Sequence, residues 1–261
     1  MLTYAVLSSG SIGNSYVFFD GIESIVVDVG ISNKQMSLRL ENAGVPESSI
    51  KAVFVTHLHP DHVKGAKAFL KGRNIPIYIN SFTAKKQPIL LVRSNIPTEA
   101  QEFFNVEEPI KAGGYTVIPF SLSHDSPGTV GYRISSIRSD KTAVIITDTG
   151  YVPDEAYKWI CDSDILFLEA NYDEDLLKIG PYPKELQERI RGERGHLSNE
   201  QAVSVVQNLS ENPLRKIHLI HVSENNNTID SIRCAFEKVD ASLYSSLIPL
   251  ERGEFYKGYV Q

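Results

Sequence analysis

Thr56-His57-Leu58-His59-Pro60-Asp61-His62 places three imidazoles and a carboxylate within six consecutive positions, a density that few structural needs would produce. Imidazole nitrogen and carboxylate oxygen suit zinc, iron or manganese, and the run contains no cysteine for a thiolate structural zinc site. In an extended segment alternate side chains point the same way, so His57 and His59 can clasp one ion between them. Asp61 and His62, further round the turn, are free to reach a second. Two neighbouring cations repel each other, and a carboxylate shared by both is the natural remedy. Asp148 is the candidate for that bridge, with His124 completing the first site and His221 the second. A coordination position left open on each ion admits water, whose pKa falls from about 15.7 to about 7 on a metal. Hydrolysis is the reaction class this suggests.

Such residues must be brought together by elements far apart in the chain, and the sequence has a repeated grammar for doing so. Ile25–Val29 reads as a strand ending at Gly30, and residues 32–44 as a helix, with Ser32 and Gln35 in capping-box spacing and Gly44 as terminator. Lys51–Thr56 is a strand that runs into the histidines, and Val63–Lys71 looks helical behind them. Tyr115–Leu122 leads to His124, Thr142–Thr147 to Asp148, Asp164–Leu168 to Glu169 and Lys216–Ile220 to His221. Polar residues that close apolar strands belong at one rim of a sheet, where they can gather round a ligand. His218 sits inside its strand among Leu and Ile neighbours and reads as structural.

At 261 residues with 42% hydrophobic content, the chain can bury a substantial core, and a single domain over residues 1–261 is expected. No run approaches the roughly 18 apolar residues of a membrane span, and the first residues lack a charged leader, so a soluble, cytoplasmic protein is expected. Cys161 and Cys234 are too few for a disulfide scaffold and lie in apolar-rich segments, which points to buried, reduced thiols. The net charge of −6 argues weakly against a polyanionic substrate, but its distribution matters more. No acidic residue lies between His62 and Glu99, a stretch that carries Lys64, Lys67, Lys71, Arg73, Lys85, Lys86 and Arg93. These cations either line an approach for phosphates or form a solvated helix face and loop.

His57-x-His59-x-Asp61-His62, then His124, Asp148 and His221 in this order and at these gaps, resembles the metallo-β-lactamase superfamily over nearly the whole chain. The resemblance implies a four-layer αββα sandwich of two mixed β-sheets flanked by helices, with a dinuclear metal site at one edge. Leu168-Glu169-Ala170-Asn171-Tyr172 and Gly195-His196-Leu197-Ser198 are similar to the glutamate and histidine loops of tRNase Z-like nucleases. There the glutamate orients a histidine that stabilises the scissile phosphate or protonates the leaving oxygen. Ser198 and Gln201 form a further capping box, which sets His196 just before a helix N-terminus, a place that attracts anions.

Ser8-Ser9-Gly10-Ser11-Ile12-Gly13-Asn14 and His221-Val222-Ser223-Glu224-Asn225-Asn226 resemble the YycJ/WalJ-like subgroup, associated with 5′-to-3′ exonuclease activity on double-stranded DNA. On that resemblance Ser11, Asn14, Ser223 and Asn225 are candidate substrate contacts, together with Lys64, Lys85 and Lys86. The glycines of the early loop either present backbone N–H groups to phosphate or merely permit a tight hairpin. The chain has neither a recognisable tRNA-gripping arm nor an inserted β-CASP domain, which disfavours transfer-RNA processing. Arg189, Arg191 and Arg194 are interleaved with Glu185, Glu188 and Glu193, as on an ordinary charged helix.

The leading expectation is therefore a phosphodiesterase carrying two divalent ions (zinc, manganese or iron) and acting on double-stranded DNA, with Asp61, Glu169 and His196 in catalytic roles. Two alternatives differ in kind. A small-molecule hydrolase of the same fold, for cyclic phosphodiesters, thioesters or lactones, needs a closed pocket. A non-catalytic, metal-stabilised nucleic-acid-binding module would bind DNA without turnover.

Overall fold

A computed structural model describes residues 1–209, 216–239 and 241–260. Two seven-stranded sheets form its centre. The first contains β1 (Leu2–Ser8), β2 (Ser15–Phe19), β3 (Ser24–Val27), β4 (Ile50–Phe54), β5 (Ile77–Asn80) and β6 (Gln101–Phe104). The second contains β7 (Ile110–Ala112), β8 (Tyr115–Ser121), β9 (Val130–Ser136), β10 (Lys141–Ile146), β11 (Ile165–Glu169), β12 (Lys216–Ile220) and β13 (Leu247–Pro249). The last strand, β14 (Tyr256–Val260), returns to the first sheet beside β1. Strand orders are β14-β1-β2-β3-β4-β5-β6 and β13-β12-β11-β10-β9-β8-β7. Both sheets are mixed: β3 to β6 pair in parallel, as do β10 to β13, and the remaining joins are antiparallel.

Successive side chains of a strand point to opposite faces, and here both faces are covered. Ile25, Val27 and Phe54 of the first sheet meet Tyr115, Tyr132, Ile145 and Phe167 of the second in the core between the sheets. Their neighbours Val26 and Val53 turn outward against Met36 and Leu40 of α1 (Asn33–Ala43), Val63 of α2 (Pro60–Val63) and Phe69 of α3 (Ala66–Leu70). Val144, Ile146, Leu166 and Leu168 turn outward on the other side. The expected αββα sandwich is present.

Further helices are α4 (Ser81–Lys86), α5 (Pro88–Arg93), α6 (Asp154–Cys161), α7 (Glu174–Ile179), α8 (Lys184–Arg191), α9 (Asn199–Gln207), α10 (Ile229–Phe236) and α11 (Ala241–Tyr244). Residues of α6, α9 and α10 cover the outer face of the second sheet, through Ile160, Val206 and Ile232. No helix among the described residues is long and apolar enough to cross a membrane.

Several boundaries differ from the sequence reading for local reasons. The strand expected over Ile25–Val29 stops at Val27 because Asp28 takes φ 59°, which turns the chain out of the sheet. The helix expected over Val63–Lys71 is broken between α2 and α3 at Gly65, whose N–H donates to the Val29 carbonyl at 2.9 Å. A Cβ there would lie 1.9 Å from the Ile31 carbonyl oxygen, so only glycine permits the approach. Ser32 and Gly44 do bound α1: the Ser32 hydroxyl accepts from Gln35 N–H, and Gly44 is left-handed at φ 70°. The cysteines are free thiols as expected but not buried ones. Cys161 is half-buried and Cys234 exposed, because an apolar-rich helix still turns part of its circumference to water.

Candidate metal centre

The polar residues that close the strands converge at one rim of the sandwich. His57, His59, Asp61 and His62 follow β4, Asp148 follows β10, Glu169 ends β11 and His221 follows β12, while His124 comes from the loop between β8 and β9. Their potential ligand atoms fall into overlapping groups within 4.8 Å: His57, His59 and His124; His57, His62 and Asp148; Asp61, His62 and His221. Asp148 belongs between the others. Its Oδ2 lies 3.3 Å from His62 Nε2, and its Oδ1 lies 3.5 Å from His221 Nε2 and 3.8 Å from His124 Nε2. Asp61 Oδ2 stands 3.5 Å from His62 Nε2 and 3.9 Å from His221 Nε2.

The shorter of these separations approach those of ligands on a shared cation, and the 3.8 and 3.9 Å ones would have to contract around it. Ligand atoms held about 2.1 Å from one centre lie about 3.0–3.4 Å apart in octahedral or tetrahedral arrangements. Among the described residues, His57 Nε2 and His221 Nε2 are buried with no hydrogen-bond partner, a costly condition that a metal relieves. Three of the site's backbones are left-handed, Asp28, Asp148 and His221 at φ 59°, 55° and 55°, and such residues each cost about 1–3 kcal/mol. Nitrogen and oxygen donors without sulfur fit a divalent cation of the zinc, manganese or iron class.

A layer behind these groups sets their orientation. His62 Nδ1 donates to Asp28 Oδ2 at 2.7 Å, and Asp28 also accepts from Thr56 N–H and Thr56 Oγ1, each at 2.8 Å. That arrangement turns His62 Nε2 toward the site and fixes its tautomer. His124 Nδ1 donates to the Gly195 carbonyl at 3.0 Å, with the same effect on its Nε2. Glu169, fully buried, accepts from His221 Nδ1 at 2.9 Å and from His196 Nδ1 at 2.7 Å, and its other oxygen accepts from Thr149 N–H. Asn171 donates to the His221 carbonyl at 2.8 Å.

Electrostatics divide the histidines into two kinds. Burial drives His57 well below its ordinary range, with repulsion from neighbouring rings adding to it. Burial likewise lowers His124 and His59, so these rings are neutral and offer lone pairs. Burial also opposes a charge on His221, but Asp148, Asp61 and Glu169 outweigh it and lift the ring to about 10. His62 is raised against burial by Asp148, Asp28 and Asp61. At His196 burial is overcome by Glu169, which raises the ring and favours its protonated form. The carboxylates therefore demand positive charge in their midst.

A cleft of about 190 Å³ opens beside these groups, lined by Ser11, His124, Arg189, His196, His221 and Ser223. The candidate substrate contacts scatter around it. Ser11 and Ser223 face the cleft, and the Asn225 side chain is bonded to Tyr182, itself on the cleft wall. Asn14 is buried and occupied: its Nδ2 lies 3.2 Å from Asp61 Oδ2 and 2.9 Å from His62 Nε2. Lys64 caps the Ile12 carbonyl at 2.6 Å, tying α2 to the early loop. Lys85 and Lys86 are exposed on α4, while Arg73 is paired with Glu47. The early loop is a tight turn, with Gly13 N–H bonded to the Gly10 carbonyl. Neither arginine pairs with the interleaved glutamates in these contacts: Arg191 of α8 reaches Glu174 of α7, and Arg189 reaches Asp125.

Asp28, Thr56, Asp125 and Asn171 were not anticipated as parts of the site. Asp28 carries the same signal as the others, an acid at the end of an apolar strand. It is hidden because Val29 continues the run.

The chain belongs to the metallo-β-lactamase superfamily: residues 23–222 match the family described as the beta-lactamase superfamily domain. The exodeoxyribonuclease YycJ of Bacillus anthracis is 30% identical over 238 residues, covering 91% of this chain and 89% of that protein. The exodeoxyribonuclease WalJ of Streptococcus pneumoniae serotype 2 is also 30% identical, over 86% of this chain and 82% of its own. The metallo-beta-lactamase fold protein YhfI from Bacillus subtilis superposes with a TM-score of 0.69 at 19% identity, covering 98% of this chain and 99% of its own.

Proposed function

We propose that the chain is a cytoplasmic, single-domain exodeoxyribonuclease that hydrolyses double-stranded DNA from 5′ to 3′ with two divalent cations. The observation that carries this reading is the Glu169–His196 pair, bonded at 2.7 Å and set against the metal-capable cluster. Action on DNA is drawn from likeness to the exodeoxyribonucleases YycJ and WalJ, and the polarity and duplex substrate from the resemblance of the residue 8–14 and 221–226 segments to the YycJ/WalJ-like subgroup. His57, His59 and His124 would hold one ion, Asp61, His62 and His221 the other, with Asp148 shared. Bound there, the cations supply Lewis acidity and lower the pKa of water.

The protein's own groups then divide the work. Asp61 orients the attacking water and receives its proton. The new P–O bond forms as the bond to the leaving oxygen breaks. His196 donates a proton to that oxygen, and Glu169 keeps His196 charged and aimed through Nδ1. Ser11 and Ser223 on the cleft wall would meet the phosphate, with Asn225, bonded to Tyr182 of that wall, beside them, and the exposed Lys64, Lys85 and Lys86 would meet more distant phosphates. Asn14 would contribute by holding Asp61 and His62.

Duplexes labelled at each strand terminus, digested with the manganese-loaded protein, test the proposal. Mononucleotides released first from the 5′ label are expected. Turnover of bis-nitrophenyl phosphate or a thioester with intact duplex would overturn it in favour of a small-molecule hydrolase. Duplex binding without any turnover in manganese and in zinc would leave a binding module.

A further inference from the structure

We infer that Asp125 is a fourth protein ligand to the ion proposed for His57, His59 and His124, an assignment that rests on the metal-dependent reading above. A carbonyl only accepts, so the His124 bond to Gly195 at 3.0 Å places a proton on Nδ1 and aims Nε2 into the site. That nitrogen faces Asp125 Oδ1 at 3.3 Å, and His59 Nε2 faces the same oxygen at 3.4 Å. Asp125 Oδ1 is buried and receives no hydrogen bond. Two imidazole nitrogens thus converge on a buried carboxylate oxygen that forms no hydrogen bond, an unsatisfied arrangement that a cation held among them relieves. The two separations also fall at the upper end of the roughly 3.0–3.4 Å expected between ligands on a common ion.

The second oxygen explains how the first is aimed. Asp125 Oδ2 is gripped by the Arg189 guanidinium, with Nε at 2.8 Å and a second nitrogen in contact. An ion pair formed only to anchor α8 needs no carboxylate oxygen turned inward and left unpaired. Here one oxygen neutralises Arg189 while the other points at the histidines. Three imidazoles with Asp125, Asp148 and a water give six donors of mixed nitrogen and oxygen. That set suits a five- or six-coordinate ion such as manganese or iron better than tetrahedral zinc.

Calorimetric titration of the chelator-stripped full chain with manganese and with zinc tests the assignment, alongside Asp125→Asn, Asp125→Ala, Arg189→Ala and His59→Ala. Asp125→Asn is expected to weaken manganese at one of two positions by about tenfold to a hundredfold, and zinc less. Arg189→Ala, which keeps the carboxylate, should weaken it by no more than about threefold. Cobalt absorption supplies a readout independent of activity: the wild type should show the weak bands of a high-coordinate ion, and Asp125→Ala stronger, tetrahedral-like bands. If both Asp125 variants bind manganese as the wild type does while His59→Ala does not, Asp125 is no ligand and the metal reading stands. If the wild type binds neither metal, the metal reading itself fails.

Discussion

The two sheets are built to one plan, and the rim they share shows how one plan serves two ends. Each has three antiparallel joins followed by three parallel ones, and in each an aspartate follows within two residues of the strand that begins the parallel run. Asp28 after β3 and Asp148 after β10 are both left-handed, at φ 59° and 55°. Asp28 turns behind His62 and bonds its Nδ1, so it acts on the site through an imidazole. Asp148 turns into the open rim and faces the Nε2 atoms of His62, His124 and His221. The same strained turn thus supplies a carboxylate that positions one imidazole in one half and a carboxylate that faces three imidazoles in the other.

That difference is broken most severely by Asp148→Ala. Losing the carboxylate proposed to be shared by the two ions should remove at least one of them and lower nuclease turnover by about a thousandfold or more. Unchanged metal content by elemental analysis would refute the shared role. His196→Ala comes next, with an expected loss of about a hundredfold to a thousandfold in kcat at unchanged metal content. Substrates with a better leaving group, such as nitrophenyl esters, should recover most of that loss because they need no proton. Equal losses on both substrates would assign His196 to another task.

Asp28→Asn probes the other half. It keeps the shape but exchanges a charged acceptor for a neutral amide, and outer carboxylates of this kind are worth about tenfold to a hundredfold in metal affinity. The effect should appear as weaker binding of one ion with kcat restored at saturating metal. A loss of kcat that saturating manganese does not repair would mean that Asp28 does more than hold His62.

What the sequence displays of this site depends on whether chemistry or backbone geometry selects the residue. The His57–His62 run and the endings at His124, Asp148 and His221 were legible because metal-capable groups rarely close apolar strands. Glu169 and His196 were legible through their flanking residues and the Ser198–Gln201 capping box, which is present in full. Asp28 was not, since a left-handed turn inside an apolar run leaves no compositional trace. Nor was the break at Gly65, which depends on how close the Ile31 carbonyl comes in three dimensions. Even the common plan of the two sheets lies in strand pairing and is absent as a repeat from the sequence.

The smallest effect concerns the seam between the sheets. His218 of β12 crosses it, with Nε2 bonded to the Tyr4 hydroxyl of β1 at 2.8 Å and its ring stacked on Phe167. Burial lowers this ring to about 3, with Lys216 adding to the shift. The unfolded chain titrates near the ordinary value of about 6.5, so between these values only the unfolded state takes the proton. The stability His218 contributes is therefore complete above about pH 6.5 and declines as pH falls toward 3, by up to about 1.4 kcal/mol per unit. His218→Phe removes that dependence at the cost of the Tyr4 bond, about 1 kcal/mol. Urea unfolding at about pH 7.5 should find the wild type slightly more stable, and at about pH 5 the order should reverse. The rim histidines titrate alike in both proteins and cancel in the difference. A gap between the two proteins that stays constant across this range would show that the seam does not hold His218 neutral.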